Sequence, residues 1–191
     1  MTALYETLGA GVVLSWVLFQ GLIWILRPKR ALIVALTLGI LPFAVIPQVS
    51  VPAMIQAVFA PFGVLLPVLA ARSLAASLGH RVTRFASLDL IVVLGLYVTY
   101  LCAALGVFAW DPYPLGYSSA GAGAVAVAIA LYGAWRGHVS VAVGAVLGQG
   151  LWLLGAGSSN YFDHVSHALL VPVIVVVLLR RLGRPLRKPV T

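Results

Sequence analysis

Charged residues are scarce in this sequence. Only 8% of its 191 residues are charged, whereas soluble domains carry about 25%. Its hydrophobic residues make up 62% of the chain. So few charges cannot solvate the surface of a soluble protein of this length, and the composition therefore predicts a surface that faces lipid.

Cysteine is nearly absent, because Cys102 is the only one. A single cysteine excludes an intramolecular disulfide and a cysteine-based metal site. Lys and Arg are missing before the first apolar run, where Glu6 is the only charged residue. A cleaved signal peptide has a basic leading segment, so the first apolar run is predicted to remain as a membrane span.

Lysine is also missing from the last apolar run, residues 168–179. A rhodopsin needs a lysine there for its retinal Schiff base, so no retinal is expected. Haem is not expected either, because two histidines from one helix turn, such as His164 and His167, cannot approach a porphyrin from opposite sides. The sequence establishes no cofactor.

The basic residues that are present lie in alternate connections between the apolar runs. Glu6, Asp111 and Asp163 lie in the other connections. Loops rich in Lys and Arg stay in the cytoplasm, so this partition predicts an external N-terminus and a cytoplasmic C-terminus. The net charge of +8 then indicates contact with anionic lipid headgroups at the cytoplasmic face, and no nucleic-acid partner. The twelve basic residues are Arg27, Lys29, Arg30, Arg72, Arg81, Arg84, Arg136, Arg180, Arg181, Arg184, Arg187 and Lys188.

The lengths of the apolar runs predict an all-α fold, a polytopic membrane helix bundle of about seven transmembrane helices in one domain over residues 1–191. The uncharged segment 31–71 is long enough for two spans, and Pro47 to Pro52 mark a turn at its middle. This hairpin either crosses the membrane fully or re-enters. The other spans are predicted over residues 8–26, 88–109, 120–135, 139–157 and a last run ending at 179, with a basic, partly helical connection over 72–84.

Small residues recur every four positions in two of these spans. Such stripes let helix backbones approach closely in lipid, so they predict packing inside the bundle or contact with another subunit. The stripes are Ala120, Ala124 and Ala128; Ala122, Ala126, Ala130 and Ala134; and Gly144 with Gly148.

The predicted external face gathers aromatic, acidic and histidine side chains. Asn160 and Asp163 have the spacing of a helix N-cap and an acidic residue in the first turn. If the last helix begins there, His164 and His167 share one face with Asp163. These three residues, with Asp111 as a fourth ligand, could hold a divalent metal or act in proton transfer. Candidate ligand-binding residues at this face are Trp110, Asp111, Tyr113, Tyr117, Asn160 and Tyr161, and His80 and His138 are predicted to be solvated at the opposite face.

Within the spans, the amides of Gln20 and Gln149 are the main polar groups. Polar groups in a span usually face the bundle interior, so Gln149 is a candidate for lining a cavity and both are candidates for a transport pathway. The run from Asp163 to His167 resembles the Asp-x-x-x-His segment of VanZ-like proteins over five residues, which is too short to imply a function.

These observations leave three hypotheses open. The first is a small bacterial inner-membrane protein without a catalytic centre, which binds a lipid-like or hydrophobic ligand, or acts as a subunit or homo-oligomer, through its periplasmic face. The second is a periplasm-facing intramembrane enzyme or metal-binding protein that uses Asp111, Asp163, His164 and His167. The third is a small transporter with Gln20 and Gln149 in its pathway.

Overall fold

The computed structural model describes residues 2–45 and 63–183, with side chains over 5–42 and 63–183. Over these ranges the chain forms eight α-helices, one 3₁₀ helix and no strand, so the all-α prediction is confirmed. The helices are α1 (Thr2–Leu22), α2 (Pro28–Val45), α3 (Leu65–Ser77), α4 (Ser87–Ala104), the 3₁₀ helix (Tyr113–Tyr117), α5 (Ser119–Trp135), α6 (Val139–Leu153), α7 (Tyr161–Val165) and α8 (Leu170–Leu182). The predicted hairpin turn, Pro47 to Pro52, lies outside the described residues.

The chain divides into two compact units. Unit 1 comprises residues 1–83 and 113–167, and unit 2 comprises residues 84–112 and 168–191. Unit 1 therefore contains α1–α3, the 3₁₀ helix and α5–α7, whereas unit 2 contains α4 and α8. The prediction of one membrane domain over the whole chain stays a prediction.

Unit 1 consists of two helical hairpins joined by α3. The first hairpin is α1 with α2, the second is α5 with α6, and α3 packs against both α1 and α6. Phe19, Ala35 and Leu74 belong to the core of the first hairpin. Ala122 and Ala126 pack with Tyr161 and Val165 in the core of the second.

Small residues bring α1 and α2 into close contact. Ser15 is fully buried and donates a hydrogen bond to the carbonyl of Gly11, at 2.7 Å. A methyl group added at Gly39 would lie 2.7 Å from the Cα of Ser15, which is closer than real atoms pack. The backbones can therefore cross here only because residue 39 has no side chain.

The predicted alanine stripes of α5 have different environments. Ala122 and Ala126 are buried inside unit 1, whereas Ala120, Ala124 and Ala128 are exposed. On α6, Gly144 faces Leu65 of α3 and Gly148 faces Val165 of α7. The Gly144–Gly148 pair thus serves packing inside the bundle, as one of the two interpretations predicted.

Two predicted spans end earlier than expected. Helix α4 ends at Ala104 rather than 109, and α6 ends at Leu153 rather than 157. In both cases a glycine with positive φ follows, Gly106 at 77° and Gly155 at 62°. The amide after each glycine donates a hydrogen bond to the carbonyl five residues earlier: Val107 N to Cys102 O, and Ala156 N to Leu151 O. These are Schellman-type ends, in which a left-handed glycine satisfies the last carbonyls and stops the helix.

The predicted last span is two helices, not one. Helix α7 covers only five residues and ends at Val165, where Ser166 has an extended backbone with ψ of 159°. Helix α8 begins at Leu170, which places Pro172 in its first turn. Proline lacks the N–H that a continuous helix would bond to residue 168, but it is tolerated in a first turn. A last helix that begins at Asp163 was the condition for Asp163, His164 and His167 to share one helix face, and this condition is not met.

Helix α3 continues through the predicted cytoplasmic boundary. It runs past Arg72 to Ser77, so the basic connection predicted over residues 72–84 begins as helix. The Arg72 guanidinium donates a hydrogen bond to the carbonyl of Thr83, which holds the connection against its own helix.

In unit 2, α4 packs against α8. Arg181 Nη1 on α8 donates a hydrogen bond to Ser87 Oγ, at 3.0 Å, and Asp89 accepts one from the N–H of Ala86, at 3.2 Å. Among the described residues, α4 is the one helix whose length and apolar composition suffice to cross a membrane. Helices α3, α5 and α6 are apolar but shorter.

Candidate functional site

The polar residues predicted to face outside meet at one end of unit 1. We call residues 113–117 and 158–165 the outer cap, after the face on which the sequence places them. Asn160 is fully buried there, and its Oδ1 accepts a hydrogen bond from the N–H of Phe162, at 2.9 Å. Its Nδ2 donates to the carbonyl of Tyr113, at 2.9 Å. Asn160 is thus the predicted N-cap, and it also ties α7 to the 3₁₀ helix.

Asp163 is the acceptor at the centre of the outer cap. The hydroxyl of Tyr113 donates to its carboxylate at 2.9 Å, and Ser158 Oγ donates at 2.6 Å. Burial and the hydrogen bond to Asp163 raise the pKa of Tyr113, because both disfavour the phenolate. Asp163 lies in the first turn of α7, as its spacing from Asn160 predicted.

His164 is buried, with only 1% of its surface exposed. Its Nε2 lies 2.7 Å from the carbonyl oxygen of Ser158. A carbonyl can only accept, so the Nε2 of His164 donates this hydrogen bond. The Nδ1 atom of the same ring is buried and has no hydrogen-bond partner. The spacing of residues in the sequence did not indicate that His164 is buried.

His167 is not on the same helix as His164. Helix α7 ends at Val165, and the extended Ser166 separates the two histidines, so the predicted shared face does not form. Within the described ranges, no group of three or more His, Cys, Asp or Glu side chains could hold a metal ion. The predicted metal set of Asp163, His164 and His167 is thus not assembled here.

The remaining external candidates divide between the two units. Tyr117 packs edge-on against Tyr113, with ring centroids 5.7 Å apart, and both belong to unit 1. Trp110 and Asp111 belong to unit 2, where both are exposed.

Tyr161 and Gln149 connect the outer cap to α6. Tyr161 is fully buried and its hydroxyl donates to the carbonyl of Ala145, at 3.2 Å. Burial raises the pKa of Tyr161, because the phenolate would lose its hydration. One turn along α6, Gln149 Oε1 is buried without a hydrogen-bond partner. Gln20, the other predicted amide, is half-buried on α1.

Two further residues have environments that the sequence did not indicate. Tyr5 has a buried hydroxyl without a partner, and burial with the charges of Glu6 and Asp163 raises its pKa to about 12. Tyr5 therefore lies near the outer cap, and no spacing in the sequence indicated this. His138, predicted to be solvated, is buried at the start of α6, where its carbonyl accepts the N–H of Val141. His80 is exposed, as predicted.

Comparisons of the chain with protein-family models, with curated proteins and with solved structures found no match.

Proposed function

We propose that this protein is a multi-pass bacterial inner-membrane protein that binds a lipid-like or hydrophobic ligand through its periplasmic face, without a catalytic centre. It would cross the membrane about seven times, with its N-terminus outside and its C-terminus in the cytoplasm. Anionic headgroups would contact its basic connections on the cytoplasmic side.

The exposed apolar surface supports membrane insertion. Only 11% of α4 is buried, although the helix consists almost entirely of apolar residues. Soluble proteins rarely expose a contiguous apolar surface larger than a few hundred Å². The exposed apolar residues of α4 are Leu88, Ile91, Val92, Val93, Leu96 and Val98.

The length of α5 is also compatible with a span. Its 17 residues extend about 25 Å, close to the hydrocarbon thickness of about 30 Å. The outer cap precedes α5 and the basic turn at Arg136 follows it. On the charge partition, α5 would therefore run from the external face to the cytoplasmic face.

The observation that carries ligand binding is that unit 1 contains two buried polar side-chain atoms without partners, one in the outer cap and one on α6. His164 Nδ1 and Gln149 Oε1 are both shielded from solvent and both lack a partner. A buried polar atom left unpaired costs about 1–3 kcal/mol, and buried polar groups in native proteins nearly always have partners. A bound ligand that donates hydrogen bonds would remove this cost.

The enzyme hypothesis has less support. Asp163 already accepts hydrogen bonds from Tyr113 and Ser158, and His164 is buried with its Nε2 on a main-chain carbonyl. Both groups are therefore held by the fold and are poorly placed to exchange protons with a substrate at the surface. The transport hypothesis retains Gln149 as a candidate pathway residue, but no contact among the described residues places a second candidate beside it.

A subunit role is the second candidate, and one observation favours it. Ala120, Ala124 and Ala128 form an exposed stripe on α5, while the neighbouring Ala122 and Ala126 are buried. Small residues on an outer helix face permit close packing by a helix of another chain.

Native mass spectrometry of the protein purified in mild detergent tests the proposed function. We expect a retained amphiphile at about one molecule per chain, which solvent extraction identifies as a lipid or another hydrophobic compound. Folded protein without any retained amphiphile would contradict ligand binding. A second protein at fixed stoichiometry, with no amphiphile, would favour the subunit role instead.

A further inference from the structure

The connection after α3 meets the turn between α5 and α6 at Thr83. The carbonyl of Thr83 accepts a hydrogen bond from the guanidinium of Arg72, on α3. The Cγ2 atom of Thr83 lies 4.0 Å from the position of a methyl group added at Gly137, in the turn that follows α5. Arg136 is the adjacent residue in this turn. The contacts of Thr83 therefore bring Arg72 and Arg136 to the same end of unit 1. We call Arg72, Thr83, Arg136 and Gly137 the basic junction.

The basic junction lies far from the acidic residues of unit 1. The sequence of this unit contains two of them, Glu6 and Asp163. Asp163 lies in the outer cap, at the other end of α5, whose 17 residues extend about 25 Å. Trp16 Nε1 on α1 donates to Ser73 Oγ, beside Arg72, at 3.0 Å. Glu6 lies about 15 Å earlier along the same helix. The basic junction is therefore a region of positive charge, which favours an anionic ligand.

Exposed apolar side chains accompany these cations. Trp135 has 81% of its surface exposed, and the Cζ atom of Arg136 lies 5.8 Å from the centre of its ring. Leu78, which follows α3, is also exposed. An indole ring and a guanidinium together suit the headgroup depth of a membrane, where the ring contacts apolar groups and the cation contacts phosphate. An amphiphilic anion is therefore favoured over a free anion, which would leave Trp135 and Leu78 in water.

We infer that the basic junction binds the phosphate of an anionic phospholipid, with Arg72 and Arg136 as its cationic contacts and Trp135 beside the apolar part of the lipid. Guanidinium groups donate paired N–H bonds that match the oxygens of a phosphate. A lipid headgroup lies on the surface of a membrane protein, so this binding requires no enclosed cavity. The inference rests on the membrane insertion that the proposed function includes, but not on the ligand proposed for the periplasmic face.

The test compares two lipids that differ in net charge. Phosphatidylglycerol and phosphatidylcholine of identical chains are offered together, in equal amounts, to delipidated protein in mild detergent, and native mass spectrometry counts each bound lipid. Both lipids have a phosphate, but the choline group of the second cancels its charge. We expect a preference for phosphatidylglycerol on the order of tenfold, because each basic residue beside an anionic lipid contributes about fivefold. Equal binding of the two lipids would overturn the inference.

A pair of arginine variants distinguishes the basic junction from diffuse attraction to the net charge. Arg136→Gln removes a charge at an exposed position and should reduce the preference about fivefold. Arg30→Gln is the matched control, because it removes the same charge from an exposed position on α2, in the other hairpin of unit 1. It should change the preference by less than about twofold. Equal reductions in the two variants would overturn the assignment to the basic junction.

Two further variants test the other contacts of the lipid. Arg72→Gln removes a charge and also the hydrogen bond to Thr83, so its folding is checked by circular dichroism. Folded Arg72→Gln with the full preference for phosphatidylglycerol would exclude Arg72 from the site and contradict the inference. Trp135→Ala should weaken the binding of both lipids without changing their ratio, because the apolar contact is common to both. A change in the ratio alone would contradict the position of Trp135 beside the apolar part.

A soluble anion distinguishes a lipid site from a free phosphate site. Inorganic phosphate, added to the phosphatidylglycerol complex, should displace no more lipid than chloride does at equal ionic strength. Specific displacement by phosphate would show a site for free phosphate and overturn the assignment to a lipid.

Retention of amphiphile in Arg136→Gln separates this inference from the proposed function. A ligand at the periplasmic face should persist in this variant, whereas a lipid at the basic junction should be reduced. Retained amphiphile without preference for phosphatidylglycerol would support the proposed function and overturn the basic junction. Preference for phosphatidylglycerol, with no amphiphile retained in Arg136→Gln, would support the basic junction and contradict the periplasmic ligand.

Discussion

The α1–α2 crossing and the outer cap are both regions of unit 1, but they are held together in different ways. At the crossing, the backbones meet at Gly39 and Ser15 with no room for one further methyl group. In the outer cap, Asn160, Asp163 and His164 join separate segments through side-chain hydrogen bonds. Close backbone packing holds the first region together, whereas matched hydrogen-bond donors and acceptors hold the second together.

This difference predicts what each region tolerates. A close backbone crossing tolerates no added atom but is indifferent to pH, because none of its groups titrates. A hydrogen-bonded cap tolerates exchanges that keep shape and partners, and it responds to the loss of a single donor. The predictions below use substitutions that distinguish the two.

The largest effect is expected at the crossing, from Gly39→Ala. The new methyl group would lie 2.7 Å from the Cα and N of Ser15, so the two helices must separate. We expect a loss of about 3 kcal/mol of stability, at the upper end of the overpacking range, measured by chemical unfolding in detergent. Gly21→Ala on α1 is the matched control, since nothing lies within 4 Å of its added methyl group, and it should be neutral or slightly stabilising. Equal effects of the two substitutions would refute the close crossing.

In the outer cap, Asn160→Ala should have the next largest effect. It removes the N-cap bond to Phe162 and the hydrogen bond that Asn160 Nδ2 donates to the carbonyl of Tyr113. We expect a loss of about 2 kcal/mol, from one cap and one part-buried hydrogen bond. Ser118→Ala removes the exposed N-cap of α5 and should cost about 1 kcal/mol, so the difference measures what burial adds. A smaller loss at Asn160 than at Ser118 would show that the buried cap is not a stabilising link.

Local sequence signals predicted the parts of this structure that depend on neighbouring residues. The Asn160 cap and the position of Asp163 follow from spacing alone, and both were predicted. The ends of α4 and α6 were misplaced, because hydropathy continues past Gly106 and Gly155 while backbone conformation stops the helix there. A Gly in the last turn of each run was the available signal.

Burial depends on tertiary contacts, and there the sequence was a poor guide. His138 was expected to be solvated because it lies in a basic connection, but its side chain is buried. The burial of His164 was not indicated by the sequence either. Tyr5 and Asp163 are far apart in the sequence, so spacing could not indicate that they lie near each other. Gly39 was overlooked because its role is visible only once α1 and α2 cross.

A smaller effect is expected from Asp163→Asn. The amide keeps one oxygen that can accept from Tyr113 or Ser158, and the cap bond of Asn160 is untouched. We expect a loss of about 1 kcal/mol or less in thermal or chemical unfolding. A loss above that of Asn160→Ala would mean that the carboxylate charge, rather than the cap geometry, holds this region together.

The smallest effect is a pH dependence above about 10. The fold raises the pKa of Tyr113 above the ordinary tyrosine value of about 10, so the unfolded chain loses this proton first as pH rises. The stabilisation is therefore complete below pH 10 and declines as pH rises toward the folded value. Tyr113→Phe should flatten that part of the stability curve, whereas Tyr117→Phe, at an exposed ring, should flatten it less. Identical stability curves for the wild type and Tyr113→Phe would show that Tyr113 does not contribute to this pH dependence.

Cysteine labelling of intact cells tests most directly whether the outer cap and the basic turn lie on opposite sides of a membrane. Leu115→Cys lies in the outer cap just before α5, and Arg136→Cys lies just after it, and both positions are exposed. In a Cys102→Ser background, a membrane-impermeant maleimide should label Leu115→Cys in intact cells. It should label Arg136→Cys only after the membrane is permeabilised. Equal labelling of both positions in intact cells, or recovery of the protein in the soluble fraction, would contradict the membrane orientation on which the proposed function depends.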